Sequence, residues 1–304
     1  MSGFETAPRF QRILSHVAKA LLVYAAAAAP IDNMPTCTEQ LYQADSTEQG
    51  VGLEGGSVND LLINDSLSIV TYNIKSGERG IQEVADELAQ QEPDVICTQE
   101  TVASNVDPIL KATGLSHHAV AWASESDGQP FGNVTFSDSE IIDSYTIPLP
   151  RIYDEQRSLL VTTHQRDGEK FYVLNTHLTP KNATALVEGT EDTQISERDL
   201  QAIYVMKELN SLPATDPAFF CGDLNARPGS STYNEMTGGR FIDGVTAVGD
   251  KTLETFAGSD VQIDYILNNG QKWLLSKVRT FGERQTDHCG VEGEFIQLAE
   301  TETA

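Results

Sequence analysis

The sequence predicts an α/β fold built from two packed β-sheets flanked by helices. Three observations carry this. Short apolar runs outnumber amphipathic helical stretches, most of those runs end on a polar residue, and no repeat period is present. The regular signals run from about Leu67 to Leu298, a span of about 235 residues that one domain can hold.

Taken in order, Leu67–Tyr72 reads as a strand ending at Asn73. Ile81, Val84, Ala85, Leu88 and Ala89 share one face of a helix from Ile81 to Gln90. Asp94–Gln99 is a second strand, ending at Glu100. Asn133–Ser137, Ile141–Ile147 and Leu159–Thr163 are further short strands, and Phe171–Leu174 leads into Asn175-Thr176-His177. A helix is expected from Ser196 to Leu209. The apolar run Ala218–Cys221 is a buried strand, with a turn at Gly222 and then Asp223 and Asn225. Gln262–Leu267 is a strand carrying Asp264 internally, and Thr286-Asp287-His288 precedes a last strand, Val291–Leu298.

The chain divides into an N-terminal extension (1–63), the domain itself (64–298) and a short tail (299–304). In the extension, Phe10, Ile13, Leu14, Val17, Leu21 and Tyr24 recur at helical spacing. Residues 10–29 fit either an added amphipathic helix, able to touch a membrane surface, or a signal-peptide core followed by alanines. Localisation, secreted or cytoplasmic, therefore stays open. The apolar run is too short to span a bilayer. Residues 43–60, rich in Gly, Ser, Asp and Glu, read as a linker.

The formal net charge is -25, from 45 acidic and 20 basic residues. Such a chain repels polyanions at long range unless a metal or a local basic patch offsets the field. The 4 cysteines are widely spaced with no CxxC pair, which disfavours a zinc site. Cys97 and Cys221 fall inside apolar runs and read as buried free thiols.

Asn73, Glu100, Asn175, His177, Asp223 and Asn225 follow apolar runs, and Asp287 and His288 precede one. Each has a plain explanation on its own, such as a turn cap, a solvated carboxylate or a core histidine. Together, at one rim of a sheet, they share a cleft. Hard oxygen donors without cysteine suit Mg²⁺ or Mn²⁺. Glu100 is the leading metal ligand, with Asn73 and Asp287 beside it. His288 suits general-base work, and a buried Asp264 would fix its tautomer. Asp223 is placed to orient the attacking water. Asn225 and His177 can donate hydrogen bonds to the transition state, and Arg157 can clamp a phosphate.

Thr71-Tyr72-Asn73-Ile74, Asp94 to Glu100, Asn175-Thr176-His177-Leu178, Gly222-Asp223-Leu224-Asn225, Ile263 to Leu267 and Thr286-Asp287-His288 resemble, in order, the motifs of the endonuclease/exonuclease/phosphatase superfamily. The resemblance covers about residues 66–298. It implies a DNase I-like four-layer α-β-β-α sandwich and Mg²⁺-dependent attack of water on phosphorus. It also implies a metal on Glu100 supported by Asn73, an Asp264–His288 acid–base dyad, and Asp223, Asn225 and His177 around the nucleophile and phosphate. Gly132-Asn133 and Arg157 fall where the family often has a Gly-Asn pair and an arginine, so Asn133, Asn175 and Arg157 are the substrate-binding candidates. Basic residues near the motifs are few: Lys75, Arg79, Arg157, Lys181 and Arg227. Duplex recognition needs more phosphate contacts than these supply. The expected substrate is thus a compact phosphoester, small molecule or lipid headgroup, taken by a monomer. A metal-dependent endo- or exonuclease is the alternative, and a non-catalytic binding module on the same fold the third reading.

Overall fold

In the computed structural model, which describes residues 41–43, 63–152, 155–180, 184–186, 194–247, 253–256, 259–282 and 285–298, the strand pattern resolves into two mixed sheets and a small hairpin. The larger sheet has seven strands in the order β1 (Leu41–Gln43), β13 (Trp273–Phe281), β14 (Gly290–Leu298), β2 (Ile63–Asn73), β3 (Val95–Val102), β5 (Gln129–Ser137), β4 (His117–Ser126). The second has five: β12 (Asp264–Asn268), β11 (Ala218–Asp223), β8 (Glu169–His177), β7 (Ser158–Arg166), β6 (Glu140–Pro148). β9 (Thr184–Leu186) pairs with β10 (Gln194–Ser196) alone.

The period of two along each strand decides what lies where. Ile69 of β2, Val95 and Cys97 of β3, Val173 of β8 and Phe219 and Cys221 of β11 belong to one cluster filling the space between the sheets. Their neighbours Val70, Tyr72 and Ile96 face the opposite way. They pack with Val84, Ala85 and Leu88 of α1 (Ile81–Ala89) and Ile109 of α2 (Val106–Thr113). On the second sheet, Leu174, Phe220 and Leu267 face outward onto Ala202, Val205, Met206 and Leu209 of α3 (Glu197–Ser211) and Met236 of α4 (Ser231–Thr237). The layers are therefore helix, sheet, sheet, helix, as expected.

Several boundaries differ from the sequence reading. β3 does not stop at Glu100 but continues to Val102, through a register shift between Thr98 and Thr101. β12 begins at Asp264, which is thus its first residue and not an internal one. α2, β4 and β13 were not foreseen. Residues 41–43 lie within the extension of the sequence reading, yet they pair antiparallel with β13 and lengthen the main sheet. Residues 10–29 and the tail lie outside the described residues. No helix among the described residues is long and apolar enough to cross a membrane. Cys97 and Cys221 are buried and free, as expected, whereas Cys289 is disulfide-bonded.

Candidate active site

The parity that aims Ile69, Cys97, Val173, Cys221 and Ile266 into the inter-sheet core also aims Asn73, Gln99, Asn175, His177, Asp223 and Asp264 inward at the cleft end of the same strands. Register brings them level. Asp223 sits opposite His177 on one side and Asp264 on the other, and Asn73 lies opposite Gln99. Gly222 permits this, because its φ is +152° and a Cβ there would overlap the Thr176 carbonyl oxygen of β8. Glu100 is turned to the cleft by the bulge in β3, at a φ of 52° that a non-glycine residue seldom adopts.

The two sheets meet through Asn73. Its amide nitrogen donates to Glu100 Oε1 at 3.0 Å and to Asp223 Oδ2 at 3.2 Å. It also lies 3.4 Å from His288 Nε2. Its carbonyl oxygen accepts the Lys75 backbone N–H at 3.2 Å, which fixes the orientation of the carboxamide. Asn73 thus turns hydrogens, not oxygen, toward the cleft.

His288 Nδ1 donates to Asp264, 2.9 Å from Oδ2 and 3.2 Å from Oδ1. A carboxylate only accepts, so the other ring nitrogen, Nε2, is the one that faces Asn73 and Asp223, the latter at 3.7 Å. The His288 backbone N–H donates to Thr286 Oγ1 at 2.9 Å, and that hydroxyl donates to the Asn73 backbone carbonyl at 3.0 Å. Phe256 adds an edge-on ring contact, with centroids 5.2 Å apart. Burial alone would lower the His288 pKa, but the Asp264, Asp223 and Asp287 carboxylates overrule it and raise it to about 10. Burial, with Asp264 alongside, raises Asp223 to about 7. A divalent cation at the cleft would oppose both shifts.

His177 is the neutral partner in this group. Burial, with Arg157 and His288 close by, holds its pKa well below the usual histidine range. Arg157 Nη1 lies 2.9 Å from His177 Nδ1, and the other ring nitrogen, Nε2, lies 2.9 Å from the Asn225 amide nitrogen and 3.4 Å from Asp223 Oδ2. Asn225 donates its backbone N–H to Asp223 Oδ1 at 2.7 Å and its side-chain amide to Leu178 O at 2.9 Å.

Seven of the expected residues, Asn73, Glu100, His177, Asp223, Asn225, Asp264 and His288, are therefore drawn together, with Arg157 on the flank. The others fall differently. Asn175 is fully buried; it accepts from Gln99 Nε2 at 2.9 Å and donates to Val134 O at 3.0 Å, so it ties the sheets together beneath the cleft. Asn133 donates to Ser158 O at 2.9 Å and reaches only the cleft wall. Asp287 is ion-paired with Lys75 Nζ at 2.9 Å. Gln99, Phe256 and Thr286 were not foreseen as site residues. Their types are common in any strand end, and only their partners, distant in sequence, reveal them.

Two groups of side chains suit a divalent ion. Asp223, Asp264 and His288 each place one ligand atom within 4.8 Å of the others. Asp264 and His288 are already spent on each other. Glu100 is the stronger anchor: its side chain is 28% exposed, its Oε1 receives Asn73, and its Oε2 has no protein partner among the described residues. A hard cation that keeps most of its waters fits one or two such carboxylates. Beside Glu100 a small cleft is lined by Phe131, Asn133, Gln156, Arg157 and His177.

A four-layer sandwich with carboxylates and imidazoles converging at its strand ends is the DNase I-like class of α/β fold. The chain belongs to the endonuclease/exonuclease/phosphatase family, whose model matches residues 70–288. Family members are hydrolases of phosphoester bonds and are generally dependent on a divalent metal. Over 164 residues the chain is 26% identical to a DNA-(apurinic or apyrimidinic site) endonuclease of Dictyostelium discoideum, a match covering 53% of this chain and 42% of that protein. The chain thus spans less than half the length of the curated relative it matches. Its fold is similar to the human Nocturnin catalytic domain with bound sulfate anion, with a TM-score of 0.64, 16% identity, and coverage of 87% of this chain and 99% of that one. It is also similar to an endonuclease/exonuclease/phosphatase from Bacteroides vulgatus, with a TM-score of 0.63, 16% identity, and coverage of 77% and 100%.

Proposed function

We propose that this chain hydrolyses phosphoester bonds with a divalent cation, Mg²⁺ or Mn²⁺, by in-line attack of water. The observation that carries the reading is the Asp264–His288 pair at 2.9 Å, whose free Nε2 points at the same few ångströms as Asp223, Asn73 and Glu100. With a cation opposing the rise in its pKa, His288 Nε2 would take the proton from water, and Asp264 would hold the ring and stabilise the charge it acquires. Asp223, fixed by Asn73 and the Asn225 backbone, orients that water. His177 and Arg157 donate to the phosphoryl oxygens. Glu100 would hold the cation, which when bound would supply Lewis-acid neutralisation of the charge growing on the phosphoryl oxygens.

A compact phosphoester, either a small molecule or a lipid headgroup, suits the net charge of -25 and the small cleft. The name of the Dictyostelium relative supports a second reading, a metal-dependent nuclease. A panel of bis(p-nitrophenyl) phosphate, p-nitrophenyl phosphocholine and supercoiled plasmid, each with EDTA or added Mg²⁺, separates them. Turnover of the small esters that EDTA abolishes and Mg²⁺ restores is the expected result. Plasmid nicking alone moves the assignment to the nuclease, and metal-independent or absent turnover on all three overturns the proposal.

A further inference from the structure

We propose that Lys75 is a tethered cation that confines this site to a single divalent ion. The inference rests on the metal-dependent reading above and concerns how many ions that reading requires. A plain count of oxygen donors at the strand ends offers three neighbours for metal: Asn73, Glu100 and Asp287. Lys75 withdraws two of them. Its backbone N–H occupies the Asn73 carbonyl oxygen at 3.2 Å, and its ammonium occupies Asp287 Oδ2 at 2.9 Å. The same ammonium lies 3.9 Å from Glu78 Oε2. It therefore stands between Asp287 and Glu78, where a second divalent ion would otherwise gather its ligands.

The backbone shows that this placement is imposed. Lys75 and Ser76 are consecutive non-glycine residues with φ of 46° and 57°, a conformation that persists only when the surroundings over-determine it. The Thr286 hydroxyl on the Asn73 backbone carbonyl binds the segment carrying Asp287 to the end of β2, so the lysine and its partner are held at fixed range. Glu100 is left as the carboxylate with a free oxygen, the group that would hold a single ion. Lys75 acts here as a positioning residue through Asp287 and Asn73.

The test is the stoichiometry of Mn²⁺, read by titration calorimetry and by the paramagnetic resonance signal of unbound Mn²⁺, on the full chain. The wild type is expected to bind one ion. Lys75→Met, which keeps the length but frees Asp287, is expected to bind two, and Lys75→Met/Asp287→Asn returns to one. Asp287→Asn alone, with Lys75 in place, is expected to leave the affinity of the single ion within about threefold, and this arm does not depend on the stability of the Lys75 variants. Two ions in the wild type, one ion in a folded Lys75→Met, or a tenfold or greater loss of affinity in Asp287→Asn overturns the inference and leaves the hydrolase reading standing. No Mn²⁺ binding by the wild type defeats the hydrolase reading itself.

Discussion

His164 on β7 offers a measurement of how firmly the inter-sheet core resists charge. Its ring is fully buried, stacked on Phe171 with centroids 4.7 Å apart, and hydrogen-bonded to Thr162 Oγ1 at 2.8 Å and Ser137 Oγ at 3.1 Å. Burial, with some repulsion from His117, lowers its pKa from 6.5 to about 3. The unfolded chain therefore binds a proton below pH 6.5 that the folded chain refuses until about pH 3. Stability falls as pH drops through that window and is unaffected above it. At about 1.4 kcal/mol per pH unit, the loss at pH 4 is about 3 kcal/mol. Other groups also destabilise the fold in acid, so the comparison is with His164→Gln, which cannot charge. At pH 7 the variant should be less stable by about 1–2 kcal/mol, for the lost stacking and imperfect hydrogen bonding. By pH 4 it should match or exceed the wild type. Urea unfolding at half-unit intervals between pH 7 and 4 gives the difference directly. A gap between the two proteins that stays constant across this range refutes the reasoning.

Other outcomes follow from the site. His288→Ala and Asp264→Asn should each reduce kcat at least about 10²-fold on the best phosphoester, and the double variant should be little worse than either, because the two act as one unit; additive losses would separate their roles. Asp223→Asn should cost about 10²-fold in kcat with KM within a few fold, as expected of a group that orients water and not substrate. Gly222→Ala should destabilise by about 3 kcal/mol, since its Cβ meets the Thr176 carbonyl oxygen, and a melting temperature unchanged from wild type would show that β8 and β11 can part without cost.

Much of the site was legible because β2, β8 and β11 end within a few residues of their apolar runs, so the residues after each run could be placed at one rim, although β11 carries on through Gly222, where a turn was expected, to Asp223. β3 resisted the same logic. Its continuation past Glu100 depends on a bulge with a left-handed glutamate, which no residue preference announces. α2 carries Pro108 in its first turn, where the missing N–H does no harm but the sequence reads as broken. β13 loses its alternation at the register shift between Leu275 and Lys277. The partners of the ligand candidates were hidden for a different reason. The orientation of Asn73 is set locally by Lys75, but the fate of Asp287 depends on that same lysine 212 residues away. The full burial of Asn175 depends on Gln99, 76 residues off. Pairings of that span belong to the folded chain alone.

The amide of Asn73 reaches from β2 to Asp223 of the other sheet, and His288, at the threshold of β14, reaches likewise to Asp264. Each reacting pair thus has one foot on either slab of the sandwich. A slip of one slab against the other by a single ångström would unfasten every pair at once, so turnover should vanish as a unit under mild denaturant, ahead of any loss of strand content.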